Sequence, residues 1–351
     1  MERTVDQKVR RSADPLTPNE IEEVIGDPSW FPLEFDVGRE EFRFALVPPE
    51  TLREVAFIRS LKWDGREVRS VPLAVVRDAA IPPSRLHVIL HSSLGGSTLL
   101  TRALGRPGVG TPLQEPPILT DVIAYGLQKP GSQMMGLLDD VTRLLSRPHG
   151  DEVPVCKVSG IGNGLSIPMA EMHPGSRILC LDTPLEEMLS SYAARGAEGR
   201  QAARKLLIGI KNSHMLAVAL PEEKYPEFID LQFAALSWLS MRKMMLEAAT
   251  KLGGERVRTL TSEQLLQAPR EALAAAAEHF GLGLDVDECF ESGIFDRHAK
   301  TGEPFNPEQR AERTAERLRV HRDEIEPVVE WTRKVAESTA IDWDLPYPLL
   351  S

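Results

Sequence analysis

Residues 91–98 read HSSLGGST. An apolar run precedes them and an apolar helical pattern follows. A loop set between a strand and a helix turns backbone N–H groups toward an anion, and the helix dipole adds to the attraction. Gly95 and Gly96 let the backbone approach such a group closely, and Ser97 and Thr98 add hydroxyl groups at the first helical turn. The nucleoside triphosphate pattern GxxxxGK[ST] is not met, because His91 takes the first glycine position and Ser97 the lysine position. The chemistry suggested is phosphate or sulfate binding without the usual loop cation.

Other residues fit the same chemistry. Lys157 ends the apolar run of EVPVCKVSG, which aims it at the carboxyl edge of a sheet, where open α/β folds bind ligands. Glu115, in GTPLQEPPIL, could take a proton from an attacking oxygen or nitrogen. Arg195 and Arg200 flank glycines in ARGAEGR and could clamp an anion bidentately. The cysteines, Cys156, Cys180 and Cys289, fit neither a zinc site nor a disulfide framework and read as buried residues.

These residues need elements to hold them. Apolar runs at 86–90, 153–158, 177–181 and 256–260 read as strands. Helical patterns lie near 97–105, 133–146, 162–172, 185–194, 201–219 and 229–251. Strand–helix alternation of this kind predicts an α/β fold: a three-layer, P-loop-type domain with a central parallel sheet flanked by helices. FDVGREEFRFALVPP and REVRSVPLAVV alternate apolar and polar residues and predict a small N-terminal β extension with no visible chemistry. The expected division is disorder over 1–20, the extension over 21–84, the α/β domain over 85–306, and a charged C-terminal helix and tail over 307–351 that packs on it. The chain has 351 residues and a formal net charge of -11, which argues against nucleic acid or an anionic membrane as partner. No apolar run is long enough to span a bilayer and the N-terminus has no signal-like apolar core, so a cytoplasmic location is expected.

In their order and distances, the loop, the Lys157 strand, HPGSRILCLDTPLEEMLSSYAARG and RVRTLTSEQLLQAPREALAAAAEHFGL resemble the sulfotransferase superfamily over residues 86–302. Many of its members carry a P-[KR]-S-G-T-T loop. The resemblance implies a transferase that moves a sulfuryl group from 3′-phosphoadenosine 5′-phosphosulfate (PAPS) to a small-molecule or peptidic acceptor, with no metal required. It implies that Gly95, Gly96, Ser97 and Thr98 hold the 5′-phosphosulfate and that Ser190 contacts the 3′-phosphate. Arg195, Arg200, Arg297 and Lys300 would assist there. Lys157 and Arg102 would stabilise charge at sulfur. Glu115 lies in a stretch similar to that in which tyrosylprotein sulfotransferases place a catalytic glutamate, which makes it the base.

Three positions depart from the family pattern. Leu94 stands where the loop has a cation, Asp182 where an arginine binds the 3′-phosphate, and Ser159 where cytosolic members have a catalytic histidine. His91 is a second base candidate. Asp182 also permits another reading, in which RILCLD is the Mg²⁺-binding strand of a phosphotransferase using ATP or GTP, with Thr98 opposite. A third is a non-catalytic nucleotide-binding or interaction module. The acceptor pocket is expected around 110–135 and 196–235. The acceptor and the oligomeric state have no signature in the residues.

Overall fold

A computed structural model describes residues 10–11, 16–213, 216–218 and 227–350. The nine strands found there are β1 (Arg10–Arg11), β2 (Trp30–Asp36), β3 (Glu41–Leu46), β4 (Glu67–Pro72), β5 (His87–His91), β6 (Gly110–Gln114), β7 (Val153–Lys157), β8 (Ile178–Asp182) and β9 (Val257–Thr261). The last five form one parallel sheet in the order β6-β7-β5-β8-β9. β5–β8 are buried along their whole length, which explains their reading as continuous apolar runs.

Alternate side chains of these strands enter two different cores. Val88, Leu90, Cys156, Ile178 and Cys180 face one side, with Val122, Leu138 and Met245 from covering helices. Ile89, Val155, Leu179 and Leu181 face the other, with Leu100, Leu273 and Phe280. Period-two alternation into two apolar layers defines a sheet covered on both faces, as the sequence predicts.

β2, β3 and β4 pair antiparallel, and the short β1 adds to β4. Their aromatic residues Phe35, Phe42 and Phe44 join the core shared with β5. Arg147 bolts this region down. Its guanidinium donates to the carbonyls of Val24 (3.1 Å), Ile25 (2.7 Å), Asp27 (3.1 Å) and Trp30 (2.6 Å). Burial pushes its pKa down to about 10.

Some expectations need correction. Helix Pro18–Gly26 begins inside the stretch expected to be disordered, fixed by the Thr17–Glu20 capping box. Residues 1–9 and 12–15 of that stretch lie outside the described residues. β6 is a fifth sheet strand that the apolar-run criterion does not find. It carries Pro112, which only an edge strand accommodates readily. Helix Ile118–Gln128 is likewise unexpected. The pattern at 162–172 opens as a 3₁₀ turn over its glycines, Gly160–Leu165, before helix Ser166–Met172. The helix expected at 201–219 spans Gly196–Asn212; 214–215 and 219 lie outside the described residues. The C-terminal helix is two helices, Pro307–Val320 and Arg322–Ser338. Among the described residues no helix is long and apolar enough to cross a membrane. The three cysteines are free and buried.

Candidate active site

β5 is central, and the chain crosses from its β7 side to its β8 side, so the carboxyl ends of β5 and β8 mark the topological switch point. The loop after β5 and Thr183 after β8 meet there. Thr183 N–H donates to Ser92 Oγ (2.6 Å), and Thr183 Oγ1 donates to the Ser93 carbonyl (2.7 Å). Ser93 and Leu94 both have positive φ (79° and 61°), as does Gly96 (89°). The loop therefore turns sharply into helix Ser97–Leu104. Leu100 N–H makes the bond to Gly96 O, so the amides of Ser97, Thr98 and Leu99 precede the helical ladder. A Cβ on Gly95 would stand 2.3 Å from Thr183 Oγ1, so the close fit of loop and strand end requires glycine.

Residues 94–99 form part of the wall of a cavity of about 850 Å³. Arg195, Arg297 and Lys300 line it too. So do Arg310, Arg313 and Arg317, one arginine face of helix Pro307–Val320, which the sequence reading treats only as a charged tail. Against these six cations the described lining holds four carboxylates, Glu187, Glu303, Glu312 and Glu316. The wall is cationic although the chain is acidic.

Beneath the loop lies a buried ion pair. Lys157 is 1% exposed; its Nζ sits 2.8 Å from Glu115 Oε1 and donates to Thr98 Oγ1 at 3.2 Å. A threonine oxygen that accepts from lysine keeps its own proton free to donate elsewhere. Burial lowers the Lys157 pKa, and Glu115 opposes that. Burial raises the Glu115 pKa, but the charges of Lys157 and Arg59 overrule it and hold the carboxylate below its usual value. Glu115 has φ +52° at the end of β6 and donates its N–H to Lys157 O at 2.8 Å, which fixes it to β7. Three cations surround the Phe57 ring: Lys157 at 4.7 Å, Arg59 at 5.1 Å and Lys300 at 5.4 Å from its centroid. Phe57 and Arg59 come from the extension where no chemistry is visible in sequence.

The predicted residues divide in space. Gly95, Gly96, Ser97, Thr98, Arg195, Arg297 and Lys300 line the cavity. Lys157 and Glu115 lie behind Thr98 and do not. Ser190 is fully buried and its hydroxyl bonds Glu187 O (2.8 Å); its neighbour Ser191 faces the cavity. Arg200 is not in the wall and pairs with Glu324 (2.9 Å). Arg102 is not in the wall either. It donates to Arg53 O (3.2 Å) and Ala299 O (2.9 Å), which braces the 297–300 segment. His91 accepts from Ser93 N–H at Nδ1 (3.1 Å) and donates from Nε2 to Val158 O (3.0 Å), so neither nitrogen is free to act as a base. Asp182 is buried against Arg242 and is absent from the cavity wall. Arg242 offsets the Asp182 charge, and Asp182 does not share the cavity wall with Thr98. Among the described residues no His, Cys, Asp and Glu cluster forms a metal site.

No protein-family model matches the chain, and no curated protein matches it. Among solved structures it is similar to a sulfotransferase domain from the curacin biosynthetic pathway. That match has a TM-score of 0.45 and 13% identity, over 75% of this chain and 99% of that one. It is also similar to a sulfotransferase domain of the Synechococcus PCC 7002 olefin synthase. There the TM-score is 0.43 and the identity 15%, over 75% of this chain and 98% of that one.

Proposed function

We propose that the protein is a sulfuryl transferase that takes PAPS in the arginine-lined cavity and serves a small-molecule or peptidic acceptor. The cavity carries this reading: one wall presents loop amides and hydroxyls, and another presents arginines. Arg310 stands at the loop and Arg317 near Ser191, whose Oγ accepts from Arg317 Nη1 (3.4 Å). Seven residues of α-helix separate the two arginines by about 10 Å. That spacing, with the reach of two side chains, suits a nucleoside bearing anionic groups at its 5′ and 3′ positions.

In this reading the amides after Gly96, with Ser97 and Thr98, hold the 5′ end. Ser191, Arg195, Arg313 and Arg317 hold the 3′-phosphate, with Arg297 and Lys300 alongside. Lys157 keeps the Thr98 proton aimed outward, and Arg102 acts through the 297–300 segment rather than at sulfur. The acceptor's oxygen or nitrogen bonds to sulfur as the bond to the 5′-phosphate oxygen breaks, and its proton passes to Glu115; because Glu115 lies behind Thr98 and outside the donor cavity, the acceptor must approach from the Lys157 side of the loop. Lys157 and Arg59 keep Glu115 ionised for that task, at the cost of basicity. The ATP or GTP reading is less well supported, because Asp182 is engaged by Arg242.

Calorimetric titration with 3′-phosphoadenosine 5′-phosphate, beside ATP with Mg²⁺, tests this. Metal-independent binding of the bisphosphate, tighter than that of ATP, is expected. Binding of ATP with Mg²⁺ alone would replace sulfuryl with phosphoryl transfer, and binding of neither would leave an interaction module.

A further inference from the structure

Residues 94–99 read LGGSTL and carry no charged side chain. An anion seated on them is held by dipoles alone unless a full charge arrives from elsewhere. Lys157 reaches Thr98 from behind, but it is fully buried and not part of the cavity wall, so it cannot touch an anion seated there. The cation at the front of the loop is Arg310. Its Nη2 lies 3.4 Å from the Leu94 carbonyl and 2.8 Å from Glu187 Oε1, and it lines the cavity with the loop. Glu187 is itself held, because its Oε2 accepts from Ser262 Oγ at 3.2 Å.

We propose that Arg310 is the loop's cation in space, carried by helix Pro307–Val320, and that it binds the anionic group seated on residues 94–99. The assignment rests on the donor reading above. Both hydrogen bonds of the guanidinium use Nη2. Nη1 and Nε make no hydrogen bond among the described residues, and a planar fork with free donors suits bidentate contact with a phosphate. Glu187 sets the orientation of the fork before the ligand comes.

Leu318 anchors the helix on the apolar core that includes Leu185 and Leu189. None of the helix's residues is fully buried. It packs on helix Leu185–Ala193, and its arginines sit close enough to repel: burial lowers the Arg317 pKa, and Arg310 and Arg313 lower it further, against Glu187. An anion between the loop and Arg310 removes part of that repulsion. Ligand and helix therefore stabilise each other's position.

The test compares the wild-type chain, Arg310→Ala, and Arg310→Ala combined with Leu94→Lys. The last returns a cation to the loop itself. The probes are 3′-phosphoadenosine 5′-phosphate and adenosine 3′-monophosphate, which lacks the 5′ group. Arg310→Ala is expected to weaken the bisphosphate by about tenfold to a hundredfold, the range for a charge-assisted hydrogen bond. It should leave the monophosphate nearly unchanged, and Leu94→Lys should restore most of the loss. An unchanged bisphosphate affinity, an equal loss for both probes, or no restoration would each overturn the assignment while the donor reading stands. No binding of the bisphosphate by the wild-type chain would overturn both.

Discussion

At the scale of single residues the Lys157–Glu115 pair governs the site. Two charges this far from water cost much to desolvate, and each is tolerable only because the other is 2.8 Å away. Removing one partner strands the other. Lys157→Met is expected to destabilise the fold by about 2–4 kcal/mol, because Glu115 loses its direct partner and keeps only the more distant charges of Arg59 and Lys300. Adding Glu115→Gln to Lys157→Met should recover part of that loss, since no uncompensated charge remains. Urea unfolding of the four forms gives the coupling; strictly additive costs would mean that the two side chains do not depend on each other. Sequence signals at this scale are uneven. The loop hydroxyls and Lys157 stand out by residue type and place. Ser190 and Ser191 are adjacent and identical, and only the helix phase distinguishes the buried one from the one facing the cavity.

At the scale of elements, a strand end and a loop must fit without a side chain between them. The Thr183 hydroxyl occupies the space that a Gly95 Cβ would need, while it bonds Ser93 O. Gly95→Ala must displace it, and a cost of about 1–3 kcal/mol is expected from overpacking. Shortening the obstacle with Thr183→Ala in the same chain should return part of that stability; a neutral Gly95→Ala would mean that the loop has slack. Strands β5, β7 and β8 are legible because a sheet covered on both faces demands nearly continuous apolar runs, whereas β9, at one edge, mixes apolar and polar residues (VRTLT). β6 is not legible, since Gly110, Thr111 and Pro112 break the run at the other edge. The arginine face of Pro307–Val320 is hidden for another reason. Arg310, Arg313 and Arg317 alternate with Glu308, Glu312 and Glu316, the pattern of a solvated, self-paired helix. Only the tertiary fold reveals which stripe faces a cavity.

At the scale of the whole molecule, the three most strongly depressed of the four histidines buried among the described residues make the fold sensitive to acid, and burial lowers the fourth, His173, in the same direction. His87 stacks on Phe280 (4.7 Å between centroids), His91 is bonded at both nitrogens, and His279 Nε2 is 2.9 Å from Ile178 O. Burial is the main cause in each case, and it lowers their pKa values to about 3, about 4 and about 4. All three are neutral in the folded chain at neutral pH. In the unfolded chain they titrate near 6.5, so between that value and about 4 the unfolded state binds more protons and stability rises with pH. The stability is present above about 6.5, is lost as pH falls, and stops falling on their account below their folded values. Asp140 and Asp182, which burial raises from 3.8, act in the opposite sense, from that value up to their folded values. Near pH 5 the net loss is expected to be on the order of 2–4 kcal/mol per pH unit, since each unbalanced proton contributes about 1.4. The urea midpoint should thus be nearly flat from pH 7 to 8 and fall steeply from pH 6 to 4.5. His87→Phe, which keeps a ring against Phe280, should make that fall shallower by about one proton's worth. An unchanged slope in the variant would locate the acid sensitivity elsewhere, and a flat midpoint down to pH 4.5 would mean that the buried rings reach water or a partner as they take up their protons.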